Sequence, residues 1–468
     1  MINAPDVNEL ADEVAGSNFT DDRLNKRLWN MVGSLAKAPK KSLPKALDSA
    51  GLEGAYRFLS NHRVTPNKIL SGHFGATVER CEREETVLVA HDSTSFSYRY
   101  DGEREGLGRV QRGNEKSRQN FFAHFSLALT ADGTRRPLGV LGFRPWSRVE
   151  APTRTEYQRW EEQMRATAQM LSSPQKAIHL ADREADDYEM FWALQRDQYR
   201  FVVRCQFNRL LQEGEQTTKL RDLFASSSVL VERSVPLSKR TSKRCAIMSK
   251  IHPSRDERIA RLSVAGATVQ LKKPTKARPH GASGVPSTVT INVVRVWESA
   301  PPEGEERIEW YLYTSERIET AEQQLAVVDY YRARWVIEEY NKAIKTGCDF
   351  EKRQLQDYEA LVNLLAVFLP IAYRLLLLRS EAARAPEQPA LNVVSQDELD
   401  VLRVLGRRKL SESPTAKDVY LAIAELGGYI KYSKSPPGWL TLARGFEELQ
   451  TLTAGWLAAK LQLGSDQR

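Results

Sequence analysis

Three acidic residues, Asp92, Asp182 and Glu338, stand where metal-assisted phosphoryl chemistry would need them. Asp92 closes the apolar run Thr86-Val87-Leu88-Val89-Ala90-His91, and Asp182 closes Lys176-Ala177-Ile178-His179-Leu180-Ala181. Each run is predicted to be a buried strand, so two strands deliver an Asp at their C-terminal ends, the edge where α/β sheets bind ligands. Glu338 lies in Glu319–Lys345, which reads as one long helix or two abutting ones. At about 100° per residue, Tyr331, Arg334, Glu338, Lys342 and Lys345 fall within an arc of about 80°. Ala333, Val336, Ile337, Tyr340, Ala343 and Ile344 cluster opposite, which predicts one buried face and one face displaying the polar row. On an anonymous helix such a row is usually a solvated stripe, with i,i+4 ion pairs worth a few tenths of a kcal/mol, about the scale of thermal energy. The two strand-end aspartates and the basic balance of the chain weigh against that reading.

Converging carboxylates repel one another unless cations are present. Oxygen-only ligands suit Mg²⁺ or Mn²⁺, which keep several waters and bind phosphate oxygens. Two such ions roughly 4 Å apart can activate a nucleophile and stabilise the leaving oxygen of an in-line displacement. Arg334, Lys342 and Lys345 are then placed to hold phosphates by charge-assisted hydrogen bonds.

The elements that must position these groups follow from the flanking pattern. Thr20 to Arg80 reads as helical, with Asp21 and Asp22 as capping residues and a basic patch at Lys37, Lys40, Lys41 and Lys45. After the strand at Asp92 come strands over Phe121–Thr130 and Arg136–Phe143, joined by an Ala131-Asp132-Gly133 turn. A helix over Thr155–Leu171, the Asp182 strand, a helix over Asp186–Gln195 and a strand over Tyr199–Arg204 complete the order of an RNase H-like core. Short β runs then follow at Ser228–Val235, Ala246–Ile251, Ile259–Leu271, Thr288–Trp297 and Ile308–Thr314, with a Pro/Gly/Lys-rich loop over Lys272–Ser287. The fold expected is α/β: a mixed five-stranded sheet with helices, interrupted by a β-rich insertion and flanked by helical terminal domains. The boundaries expected are 1–80, 81–205, 206–318, 319–378 and 379–468.

The chain has 468 residues, and its net charge of +8 favours a polyanionic partner. Four scattered cysteines argue against a disulfide framework or structural zinc and for a reducing cytoplasm. Met1–Ser17 lacks a signal-peptide core. Leu361–Leu378 is apolar enough to raise the membrane question, but it contains Asn363, Pro370 and Arg374, so it is predicted to be a buried helix with no membrane partner.

Tyr331-x-x-Arg334-x-x-x-Glu338-x-x-x-x-x-x-Lys345 resembles the Y-R-E-K signature of bacterial insertion-sequence DDE transposases, most like their transposon-five branch. Ala181-Asp182-Arg183-Glu184-Ala185-Asp186, His91-Asp92-Ser93-Thr94, Glu53-Gly54-Ala55-Tyr56-Arg57-Phe58 and Pro436-Pro437-Gly438-Trp439 extend the likeness to nearly the whole chain. The resemblance implies that Asp92, Asp182 and Glu338 are metal-binding catalytic residues for Mg²⁺ or Mn²⁺. It implies that Tyr331, Arg334 and Lys345 hold phosphates of the transposon end, that Arg204 assists nearby, and that Trp310 stacks on a flipped base. For Trp310, a place in the core of the β insertion is the alternative. Arg23, Arg27, Lys40 and Arg57 are the candidate contacts of the N-terminal domain with double-stranded DNA. The implied reaction is nicking, hairpin formation, hairpin opening and strand transfer, performed by a homodimer joined through its C-terminal helices. A structure-specific nuclease, an idle DNA-binding or inhibitory relative, and a metal-free hydrolase with paired carboxylates are the competing classes.

Overall fold

A computed structural model describes residues 13–99, 102–109, 118–148, 155–225, 228–237, 239, 253–275, 284–430 and 436–465. Along the chain run α1 (Asp22–Lys37), α2 (Leu43–Ala46), α3 (Ser49–Leu59), α4 (Pro66–Glu82), β1 (Val87–Arg99), β2 (Gly108–Arg109), β3 (Arg118–Thr130) and β4 (Pro137–Trp146). Then come α5 (Glu156–Ala168), β5 (Ala177–Ala181), α6 (Tyr188–Arg196), β6 (Arg200–Arg204), β7 (Leu210–Glu213), β8 (Gln216–Lys219), α7 (Leu220–Ala225) and β9 (Val231–Leu237). The remainder is β10 (Arg258–Lys272), β11 (Thr288–Glu298), β12 (Glu309–Thr314), α8 (Ala321–Ala333), α9 (Trp335–Lys342), α10 (Tyr358–Arg384), α11 (Gln396–Leu405), α12 (Ala416–Leu426) and α13 (Trp439–Ser465). The strand expected at Ala246–Ile251 and part of the loop expected at Lys272–Ser287 lie outside the described residues.

The chain divides into two compact units. The first holds residues 1–153, 170–172 and 335–468. Its sheet is antiparallel, with β3 between β1 and β4 and with β2 pairing the start of β3. β1 opens as a run of five buried residues, Val87 to His91, as a strand covered on both faces must. It does not stop at Asp92, as the sequence suggested: pairing with β3 continues residue for residue to Arg99 opposite Arg118. The reason is aromatic. Phe96 and Tyr98 are buried, and Phe96 packs on Phe121 and Phe350, so the Ser-rich half of the strand is anchored by every second side chain.

α10 is long and apolar enough to cross a membrane, yet 94 % of its most apolar window is buried within the fold. Its buried polar side chains donate hydrogen bonds there. Asn363 donates to the carbonyls of Leu59 and Val64, and Arg374 donates to the carbonyl of Val393. The expectation of a buried helix therefore holds. Arg353 is a second internal staple, donating to the carbonyls of Pro39, Lys41 and Cys348.

The second unit holds residues 154–169 and 173–334. β5 and β6 pair in parallel, and β6, β12, β11 and β10 continue antiparallel, so this sheet is mixed. β9 pairs along β10, and the β7–β8 hairpin joins it at Leu211 opposite Leu271. α5 and α8 each begin with a reciprocal capping box, Thr155 with Gln158 and Thr320 with Gln323. A core of Trp160, Phe191, Phe201, Phe224 and Tyr313 lies beneath the sheet.

Candidate active site

In the first unit, β1 and α9 together hold Asp92 and Glu338. α9 is seated by Val336, Ile337 and Tyr340, all buried. The Tyr340 hydroxyl donates to the Leu369 carbonyl at 3.0 Å, and its ring meets Phe125 edge-on. From that helix Asn341 donates through Nδ2 to Oδ2 of Asp92 at 2.7 Å. One helical turn before Asn341 stands Glu338, half-buried on the same element. Its neighbour Glu339 has other duties. Burial alone would raise the Glu339 carboxyl, but Lys342 at 2.7 Å, Arg379 and the Trp439 indole N–H outweigh it and hold the carboxyl below its usual range. Of the two adjacent glutamates, Glu339 is thus a structural anchor.

Past Lys342 the helix widens into a π-turn over Ala343–Gly347. This extra residue turns Lys345 onto β1, where Nζ donates to Oγ1 of Thr94 and the carbonyl of Ser95, each at 2.7 Å. Burial lowers the Lys345 ammonium from the ordinary lysine value, against the pull of Glu351 and Asp92. Single π-turns of this kind are frequent at functional sites. Lys342 stays exposed and is paired with Glu339.

In the second unit, Asp182 follows β5 directly and caps the turn Arg183–Ala185, its Oδ1 accepting from the Glu184 N–H at 2.9 Å. The surroundings are strongly anionic: burial, then the charges of Asp182 and Glu156, push the Glu184 carboxyl up to about 7. At the end of β6, Arg204 sits over the Trp310 ring at 5.9 Å. Trp310 meets Tyr331 edge-on at 5.6 Å, and Arg334 lies 5.8 Å from the Tyr331 centroid. Burial depresses the Arg204 guanidinium below its usual range; Tyr331 opposes that shift, while Arg183 and Arg334 add to it. Four expected DNA contacts, Arg204, Trp310, Tyr331 and Arg334, are therefore gathered in one cationic, aromatic cluster.

The expected polar row of five is not one displayed face. The helix breaks at Arg334, whose N–H bonds the Tyr331 carbonyl three residues back, and Tyr331 and Arg334 are only 1 % and 5 % exposed. Tyr331 and Arg334 belong to the second unit, and Glu338, Lys342 and Lys345 to the first.

Among the N-terminal candidates, Arg23 is exposed and paired with its own capping residue Asp21, and Arg57 is exposed and paired with Glu53. Arg27 lies across Gly54, where an added Cβ would stand 2.2 Å from its guanidinium carbon. Lys40 differs from the surface contact expected: it is turned inward, 13 % exposed, and its Nζ stands 3.5 Å from Asp349. Sequence reasoning missed Asn341, although its spacing of three from Glu338 puts it on the same helical face. It also missed Asp186, which is buried and takes Gln206 N–H, Phe207 N–H and the Arg209 guanidinium.

Asp92, Asp182 and Glu338 offer carboxylate oxygens alone, the donor type that hard divalent ions prefer. Among the described residues no three His, Cys, Asp or Glu side chains are already grouped to hold a metal ion.

Comparison with known families gives the class. Residues 8–64 match the family described as transposase DNA-binding, and residues 84–369 match the transposase DDE domain. The second match covers more than half of the chain, and it includes β1, β5 and α9 with all three acids. The chain belongs to the DDE transposase family, whose members cut and transfer DNA, and its partner is DNA.

Proposed function

We propose that this transposase works by cut-and-paste on an RNase H-like core of the transposon-five type, with Asp92, Asp182 and Glu338 as ligands for Mg²⁺ or Mn²⁺. The observation that carries the reading is the grip of Asn341 on Asp92 from the helix that bears Glu338. An amide that hydrogen-bonds a ligating carboxylate from a neighbouring element is what ligand sets of this kind use to fix geometry. Three carboxylates sharing a site repel one another, so such a set calls for divalent cations. Divalent ions there supply charge neutralisation and nucleophile activation for in-line displacement at phosphorus.

The side chains divide the remaining work. Arg204 and Arg334 bind phosphates of the transposon end, with Tyr331 braced between them, and Lys345 holds β1 against the π-turn beside Asp92. Trp310 receives a base flipped out of the duplex, which relieves strain as the freed 3′-OH attacks the opposite strand. Nicking, hairpin formation, hairpin opening and strand transfer are four phosphoryl transfers of one kind, so one site serves all four. The N-terminal domain grips the transposon end through Arg23, Arg27 and Arg57. Exposed Val404, Leu405 and Ile430 in the C-terminal helical region support a homodimer. The working compartment is the bacterial cytoplasm.

Incubating the protein with a labelled transposon end and Mg²⁺ tests the reading: nicked, hairpinned and joined species are expected in that order, and hydrolysis without joining would refute it. Asn341→Ala should raise the Mg²⁺ concentration needed for half-maximal cleavage by roughly 10–100-fold, with partial recovery at high Mg²⁺. An unchanged Mg²⁺ dependence would show that the Asn341–Asp92 bond has no part in the site.

A further inference from the structure

The loop that leaves β6 is held at every turn. Cys205 N–H donates to the Tyr311 carbonyl at 2.8 Å, and the N–H groups of Gln206 and Phe207 both donate to Oδ2 of Asp186. Asn208 Oδ1 accepts from the Arg221 N–H, the Arg209 carbonyl accepts from the Leu220 N–H, and the Arg209 guanidinium clamps Oδ1 of Asp186. A loop so fixed would ordinarily turn its one large apolar side chain inward. Phe207 instead stands 45 % exposed.

Arg209 lies 5.3 Å from the Phe207 ring centroid, and that guanidinium is already neutralised by Asp186. The ring is thus backed by a cation with no unspent charge, and its solvent-exposed part is a flat apolar surface held rigid. Three residues earlier, Arg204 lies over Trp310. β5 and β6 run parallel, so the loop that carries Phe207 leaves the same sheet edge as Asp182, and the Phe207 N–H is held by Asp186 of the turn after Asp182. A rigid, exposed aromatic surface is the chemistry that receives unpaired nucleobases, because every base has a π-face.

We infer that Phe207 is a base-stacking residue in addition to Trp310: its open surface takes a nucleobase of a DNA strand that has left the duplex at the cleavage point. This rests on the transposase reading given above. The ligand class is single-stranded or splayed DNA, not paired duplex, whose bases are occupied by their own stack.

The test uses the full chain and two DNA probes of equal length, one a forked duplex with single-stranded arms and one fully paired, without divalent metal. Fluorescence anisotropy reads both affinities for the wild-type protein and for Phe207→Ala and Phe207→Trp. Phe207→Ala should weaken binding of the fork by at least about fivefold, the lower end of an aromatic–base stack, and leave the paired duplex unchanged. Phe207→Trp should restore the fork. If Phe207→Ala binds both probes as the wild type does, or weakens both equally, the inference is wrong. Failure of the transposase mechanism itself would show separately, as absence of cut or joined product from the wild-type protein in Mg²⁺.

Discussion

Glu338→Gln is expected to abolish nicking, hairpin formation and joining together, each by about 10³-fold or more, while leaving DNA binding intact. The substitution keeps size and shape and removes one negative charge. α9 is seated by the buried side chains of Val336, Ile337 and Tyr340, so the helix should stay in place. The residues matched to the DNA-binding family, 8–64, lie elsewhere in the chain. On the proposed reading, what is lost is one ligand of a site that would stabilise the transition state by several kcal/mol, and about 4 kcal/mol already corresponds to about 10³ in rate. Glu339→Gln is the informative companion. Glu339 is engaged by Lys342, Arg379 and Trp439, so its loss should loosen the C-terminal region and spare the chemistry. Single-turnover cleavage of labelled DNA with both variants checks the assignment. A Glu339→Gln protein that is dead beside an active Glu338→Gln protein would reverse it.

The second large effect concerns stability. Asp186 lies four residues after Asp182 in the same acidic motif, yet its side chain is fully buried, with Oδ2 accepting from two backbone N–H groups and Oδ1 from Nε and Nη2 of Arg209. Asp186→Ala would strand the Arg209 guanidinium, itself only 9 % exposed, without its counter-charge. Breaking a buried pair in this way costs about 3–5 kcal/mol, a large share of the roughly 5–15 kcal/mol that holds a domain folded. Asp182→Ala removes only a turn cap from a half-exposed position and should cost about 1 kcal/mol. Denaturant unfolding of the two variants is expected to separate them clearly. Equal stabilities would mean that Asp186 does not anchor the loop after β6.

These two aspartates show how far the sequence could be read. An Asp at the end of an apolar run marks a strand edge, and Asp182 is found there, because five consecutive buried residues leave the chain few alternatives. Asp186 has the same side chain in the same motif, but its role depends on Arg209, which no local pattern connects to it. β1 was legible up to Asp92 and illegible beyond, since Ser93–Arg99 becomes a strand only through the partners of Phe96 and Tyr98 on β3. The stretch bearing Glu338 was legible as one long helix or two abutting ones, and it is two. The place of the break at Arg334 and the π-turn were not, because both stretches consist of ordinary helix formers, and the π-turn goes with the tertiary tether of Lys345 on Thr94 and Ser95. Lys40 misled for the same reason: a lysine in a basic run reads as surface, and only the fold supplies Asp349. The β7–β8 hairpin turns at Gly214, with φ near +58°, and was overlooked because its strands are only four residues long each.

The claim on which the mechanism rests is that Asp92, Asp182 and Glu338, far apart in the chain, share divalent ions on DNA. Electron paramagnetic resonance titration of Mn²⁺ into DNA-bound protein measures this directly for the wild type and for Asp92→Asn, Asp182→Asn and Glu338→Gln. Each single amide should weaken Mn²⁺ binding by at least about tenfold, because every carboxylate is a ligand of the same ions. Wild-type titration curves from all three variants would contradict the assignment.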